Sequence, residues 1–268
     1  MKKEEPLFNR TLPILGERGL SVISKASISI SGLGGVGGGT FLALVRAGVR
    51  RFRLAENGIF DAPDMNRQMA AFGFTLGRPK LDVYVELAKS INPDLELELF
   101  PEGISVENLE RFLEGSDVYV GVIDYEKGED VKKMTPKFLK KFHIPLFTCA
   151  VIGFGALMIN YHPDEMMPDE FWQLAFEKSK DIPFGLLPHK ISRCFNSETI
   201  KRIEKAFNNN ISATTSIGAL CSNVLLASEV LIWLLRGMEY VKRGPVFAPY
   251  FVALDLMDMS FSIKDIRE

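Results

Sequence analysis

Four short runs hold the residue types best suited to chemistry: Gly32-Leu33-Gly34-Gly35-Val36-Gly37, the acid Glu56, Asn66-Arg67-Gln68, and Gly77-Arg78-Pro79-Lys80. The glycine run suits a phosphate. Gly32 permits a tight turn, and Gly34 removes a side chain that would hold an anion away from backbone N–H groups. Gly37 lets a helix begin close to a sheet with its N-terminus facing the anion. Ahead of the loop, Ile28 and Ile30 alternate with serines. An apolar segment follows over residues 40–47, and Phe52-Arg53-Leu54-Ala55 closes on Glu56. Strand, glycine turn, helix and strand form the opening unit of a nucleotide-binding α/β domain. An acid closing the second strand can accept hydrogen bonds from ribose hydroxyls, in NAD and in ATP alike.

The elements that position these groups follow from patterning. Residues 57–68 are polar and turn-rich beyond the C-terminal end of a parallel strand, where open α/β sheets place ligand contacts. Pro79 suits the first turn of a helix over 81–91, where Lys80 opposes the helix dipole unless an anion lies nearby. A third strand is expected over 95–100, a short helix from 105 to about 114, and a buried parallel strand over 117–123. Asp124 follows that strand, where an acid can hold Mg²⁺ or cap a helix starting near Lys127. A helix over 130–142 and a strand over 144–149 complete this half. Arg10 stands on irregular chain before a short helix over 15–23.

In the second half, residues 156–161 alternate weakly, as a strand crossing the mouth of the site would. His162-Pro163-Asp164-Glu165 then makes a turn, with the histidine and acids adjacent rather than arrayed on a helix face as a metal set would be. A helix is expected over 171–176, and residues 182–196 read as a crossover carrying His189, Lys190, Arg193 and Cys194. Ser197 is the expected N-cap of a helix over 198–207. Residues 218–235 form the longest helix, apolar nearly all round and so expected to be buried on both faces. A closing pair of strands lies over 246–262. The expected division is a helical arm over 1–26, a nucleotide-binding half over 27–150 and a C-terminal half over 151–268.

Composition narrows the function classes. Of the 268 residues, 47% are hydrophobic and 25% charged, with a formal charge of −2. That balance argues against broad nucleic-acid or membrane binding. The three cysteines, Cys149, Cys194 and Cys221, form neither a disulfide framework nor a CxxC pair. The longest apolar stretch, over 224–235, reads as too short to span a bilayer, and the start as neither signal nor anchor, which points to the cytoplasm.

The runs quoted above, together with Ala47-Gly48-Val49 and Ile91-Asn92-Pro93, occur in the order and spacing of one family. The chain resembles the ThiF/MoeB/HesA adenylyltransferases, bacterial relatives of ubiquitin-activating enzymes. The resemblance implies a Rossmann-like, largely parallel sheet with helices on both faces and a small antiparallel C-terminal extension. It also implies ATP and Mg²⁺ as cofactors. The glycine loop (Gly32, Gly34, Gly35 and Gly37) would hold ATP, Glu56 the ribose, and Arg67 and Lys80 the phosphates, with Gln68 also among the nucleotide-binding residues. Asp124 would hold Mg²⁺, and Arg10 would reach across a homodimer into the partner's site. The implied substrate is a carboxylate, the C-terminal glycine of a small ubiquitin-like protein, carrier protein or peptide.

Three departures stand out. Gly58 replaces the second acid of the family's D-x-D element, Asp64 replaces an asparagine, and Ser212-Ala213-Thr214-Thr215-Ser216 lacks the cysteine of thiolating members. The paired CxxC elements are absent too. Adenylation without a thioester is therefore the expected limit of the chemistry. The alternatives are an NAD(P)-dependent oxidoreductase and a non-catalytic scaffold with a degenerate site.

Overall fold

A computed structural model describes residues 7–123, 128–179 and 187–268. Asp124 and Lys127 lie outside the described residues, as does the first part of the expected crossover. Five strands form a parallel sheet: β1 (Ser27–Ser31), β2 (Arg51–Ala55), β3 (Glu96–Phe100), β4 (Val118–Gly121) and β5 (Leu146–Phe147), in the order β3-β2-β1-β4-β5. Chain order reverses between β1 and β4, which opens a ligand crevice at the C-terminal ends of those strands.

Strand β1 is buried on both faces, as the centre of a parallel sheet requires. Ile28 and Ile30 enter the core on one side. On the other, Ser29 donates to the Phe112 carbonyl at 2.7 Å and Ser31 shares a 2.6 Å hydrogen bond with the Tyr119 hydroxyl. The serines that make the strand look amphipathic are thus satisfied internally. Helices α1 (Leu12–Lys25), α2 (Gly37–Ala47), α3 (Lys80–Ile91), α4 (Leu109–Leu113) and α5 (Glu129–Phe142) complete this half. Helix α1 exceeds the expected 15–23 by merging across a kink at Gly16.

The stretch expected as one strand over 144–149 is divided. Leu146–Phe147 closes the parallel sheet, and Cys149 begins β6 (Cys149–Ile152) of a second, antiparallel sheet. That sheet continues through β7 (Gly155–Met158), β8 (Tyr250–Asp255) and β9 (Ser260–Asp265). The expected boundary between residues 150 and 151 falls inside β6. Strand β7, shorter than the expected 156–161, pairs on both sides within this sheet.

Helices α6 (Pro168–Glu177), α7 (His189–Ser192), α8 (Ser197–Phe207) and α9 (Ser216–Leu234) follow. The N-cap of α8 is Asn196, not Ser197. Asn196 has non-helical backbone, and its side chain accepts the Thr199 N–H at 3.0 Å.

Helix α9 joins the two sheets, packing against α2 on one side and against β6 and β7 on the other. Its 19 residues are long and apolar enough to cross a membrane by length and composition, and half of that span is buried within the fold. Within one chain a row of the helix stays exposed. Leu226 and Val230 are fully buried, each worth roughly 1.5–3 kcal/mol. Ile217, Leu220 and Val224, one to two turns apart, are 39%, 47% and 65% exposed.

Candidate nucleotide site

The glycine loop lies at the β1–β4 crevice. Gly32 has φ +87°, a left-handed conformation, and its N–H donates to the Ala55 carbonyl at 2.9 Å. A Cβ on Gly37 would stand 1.8 Å from the Gly32 carbonyl oxygen, so only glycine lets α2 start that close to the turn. Among the described residues, the N–H groups of Gly34, Gly35 and Val36 have no hydrogen-bond partner, and no side chain caps α2. Free N–H groups converging on a helix N-terminus make an anion site.

Glu56 ties this loop to the next one. Its Oε2 accepts the Leu33 N–H at 2.6 Å and its Oε1 accepts the Gly58 N–H at 2.7 Å. A Cβ on Gly58 would lie 2.9 Å from Glu56 Oε1. Glutamate at 56 and glycine at 58 are therefore matched: the longer acid occupies the room that a side chain at 58 would need.

Asp64 is the hub of the adjoining loop. It lies in a 3-10 turn (Ala62–Asn66) and is 5% exposed. Its Oδ2 is 3.0 Å from Lys80 Nζ and accepts the Asp61 N–H at 3.2 Å. Its Oδ1 is 3.6 Å from Arg67 Nη2 and accepts from Gln68 Nε2. Arg67 is steadied further through Nη1, which donates to the Pro63 carbonyl and to Asn66 Oδ1, both at 3.0 Å. Its aliphatic stem lies over the glycine loop, 3.1 Å from where a Gly35 Cβ would be. Arg67, Gln68 and Lys80 are thus brought together beside the free N–H groups. The anion that accounts for Lys80 at the start of α3 includes the protein's own carboxylate.

Buried polar atoms without partners surround the same loop. Among the described residues they include Thr40 Oγ1, Gln68 Oε1 and Asn223 Oδ1. Tyr84 abuts Gly38, and Asn223, from α9, abuts Gly39. Burial pushes the Tyr84 phenol above its ordinary range, and the charges of Glu56 and Asp64 add to the effect, so it stays neutral. The sequence reading missed Asp64, Tyr84 and Asn223 as parts of this site. An asparagine in a mostly apolar helix was the available signal for Asn223. The donors, the cations and the orphaned polar atoms fit a nucleotide polyphosphate.

Arg10 is exposed and is not brought to this cluster within one chain. The turn it belongs to packs through Phe8 against Gly48, at the C-terminal end of α2, whereas the glycine loop lies at the N-terminal end. The 212–216 stretch does reach the site, since Asn66 Nδ2 donates to the Thr214 carbonyl at 3.1 Å. The thiols are not poised for catalysis. Burial pushes Cys149 up to about 12 and also raises Cys221. Cys194 is buried, with Sγ donating to the Lys190 carbonyl at 3.5 Å.

This fold defines an α/β protein of the doubly wound class, with a glycine loop suited to a phosphate. More narrowly, the chain belongs to the ThiF family, whose model matches residues 8–268. It is 33% identical to protein HesA of Nostoc sp. over 152 residues, covering 57% of this chain and 59% of that one. It is 31% identical to the tRNA threonylcarbamoyladenosine dehydratase of Bacillus subtilis over 118 residues, 44% and 46% of the two chains. A longer match, 26% over 216 residues, covers 75% of this chain and 78% of the sulfur carrier protein adenylyltransferase of Thermus thermophilus. The chain thus spans about half the length of the first curated relatives it matches. Among solved structures, Escherichia coli MccB with ATP superposes with a TM-score of 0.69 at 14% identity, covering 98% of this chain and 72% of that one. PaaA gives 0.71 at 15%, covering 99% and 86%. These superpositions establish the shared α/β fold.

Proposed function

We propose that this protein adenylates a carboxylate with ATP, the carboxylate being the C-terminal glycine of a small ubiquitin-like protein, carrier protein or peptide. One observation carries the reading: Arg67 and Lys80 gather on Asp64 beside a glycine loop in which, among the described residues, the N–H groups of Gly34, Gly35 and Val36 have no partner. That is a setting for a triphosphate, and a more cationic one than a nicotinamide ring calls for. The carboxylate oxygen attacks the α-phosphorus, the bond to the bridging oxygen breaks, and an acyl-adenylate and pyrophosphate result. The loop N–H groups, Arg67 and Lys80 stabilise the negative charge on the phosphoryl oxygens as it redistributes. Glu56 holds the ribose, and its two backbone hydrogen bonds fix the carboxylate beforehand. A carboxylate nucleophile needs no general base, in keeping with a site among the described residues that contains no histidine. Mg²⁺, which the family resemblance assigns to Asp124, supplies further charge neutralisation when bound.

The working unit we propose is a cytoplasmic homodimer. The exposed row Ile217, Leu220 and Val224 on α9 lies on the helix that also contacts the loop bearing exposed Met69, Phe72 and Phe74. Two such faces meeting would hide apolar surface that one chain leaves in water. Arg10 would then serve the partner's site. Exchange of labelled pyrophosphate into ATP, dependent on an added protein ending in glycine, tests the reading. Its absence across glycine-ending carrier proteins and peptides would remove adenylation of such a carboxylate.

A further inference from the structure

We infer that the N-terminal edge of the parallel sheet carries a divalent transition-metal site built from His143, His162 and Asp164. One ligand atom from each lies within 4.8 Å of the others. The Asp164 carboxylate faces both imidazoles, with Oδ1 3.4 Å from His143 Nδ1 and Oδ2 3.9 Å from His162 Nδ1. A tetrahedral zinc with bonds of about 2.0–2.1 Å holds its ligand atoms roughly 3.3 Å apart. One edge already has that length, and the others need closure by an ångström or so.

The sequence hides this set, because His143 is 19 positions before His162 and belongs to another element. It is the C-cap of α5, held at φ 56° and ψ 47° with its N–H bonded to the Leu139 carbonyl. That left-handed position is rare for a residue other than glycine or asparagine. The His162 ring is fixed by Trp233 and Phe247, with centroids 5.7 and 5.3 Å away. A fixed ring loses little freedom on binding. The C-terminal carbonyls of α5 further favour a cation. The Asp164 N–H now donates to His162 Nδ1 at 3.3 Å, a long hydrogen bond that an arriving ion displaces.

Two imidazoles and one carboxylate select borderline ions such as Zn²⁺, Ni²⁺ or Cu²⁺ over Mg²⁺ or Ca²⁺, and leave a coordination position open. The site is separate from the nucleotide site. His143 precedes the start of β5, whereas the glycine loop follows the end of β1, at the opposite edge of the sheet. Bound metal would pin the end of α5 to the turn that follows Tyr161.

Trp233 makes the site readable without any assay of activity, because Cu²⁺ held at His162 quenches its fluorescence. Trp172 is the other tryptophan, so the titration is run in a Trp172→Phe background, beside Zn²⁺ calorimetry on the wild-type chain. The expected result is quenching by one equivalent of Cu²⁺ at micromolar concentration, reversed by EDTA and competed by Zn²⁺, with one Zn²⁺ per chain by calorimetry. His143→Asn, which tolerates the left-handed backbone, and Asp164→Asn, at an exposed position, should each weaken both signals at least tenfold. His189→Ala should leave them unchanged. Absence of Zn²⁺ binding to the wild-type chain, or binding undiminished in both His143→Asn and Asp164→Asn, would overturn the assignment.

Discussion

Lys80 Nζ lies 3.0 Å from Asp64 Oδ2, with both side chains largely buried beside the glycine loop. A cation at a helix start, normally unfavourable, is stabilised there by a carboxylate that also meets Arg67. The one carboxylate offsets only one of the two positive charges, and an incoming phosphate competes with Asp64 for both cations.

Charge at this hub should set nucleotide affinity. Asp64→Asn keeps one acceptor oxygen, for Gln68 or for the Asp61 N–H, while removing the negative charge that holds Lys80 and Arg67. The variant without ligand should melt lower, because Lys80 loses its buried partner. The rise in melting temperature on adding ATP should exceed that of wild type. Differential scanning fluorimetry with and without ATP checks both directions.

Removing either cation should slow the chemistry. Arg67→Ala and Lys80→Ala are each expected to cost on the order of 2–4 kcal/mol in pyrophosphate exchange, as lost transition-state donors do. A variant lacking all three thiols should retain exchange, since Cys149 and Cys221 are held protonated by burial and Cys194 is buried. A thiol-labile adduct on a non-reducing gel, lost with Cys194, would contradict that limit.

Glu56 and Gly58 should behave as a pair. Gly58→Asp alone places its Cβ 2.9 Å from Glu56 Oε1 and should weaken ATP binding about tenfold or more. Adding Glu56→Asp withdraws the carboxylate and should restore most of the loss. A double-mutant cycle on ATP affinity measures the coupling. Additive losses would mean that the two positions act separately.

Assembly should depend on α9. Light scattering should give twice the 30.0 kDa chain mass for wild type and the single-chain mass for a Leu220→Lys, Val224→Lys variant. Both positions are exposed in one chain, so the fold should survive the change.

Alkaline pH should destabilise the fold in a defined window. Burial pushes the Cys149 thiol and the Tyr119 phenol each up to about 12. The unfolded chain releases these protons from about pH 9–10, while the native state keeps them, so the stability is complete below that range. It is lost as pH rises toward 12. Denaturant unfolding at stepped pH should show the decline, and Cys149→Ala should make it shallower.

Much of this was legible in the sequence because backbone demands leave marks. The glycine run, the alternating Ile28 and Ile30, and the Pro79 start of α3 marked out the parallel half of the fold and several residues of the candidate site. The marks failed where tertiary contacts decide. Nothing local announces that Cys149 leaves one sheet for another, or that Asn196 caps α8 in place of Ser197. The Asp64 hub read as a departure from a pattern, because its meaning lies in Lys80, 16 residues later. His143 and His162 likewise meet only through the fold.

Isothermal titration with ATP and Mg²⁺, and separately with NAD, on wild type and Lys80→Ala tests the central claim most directly. The account predicts one ATP per chain for wild type, affinity at least tenfold weaker for Lys80→Ala, and no heat with NAD. Saturable NAD binding with no ATP binding, or ATP binding indifferent to Lys80, would contradict it.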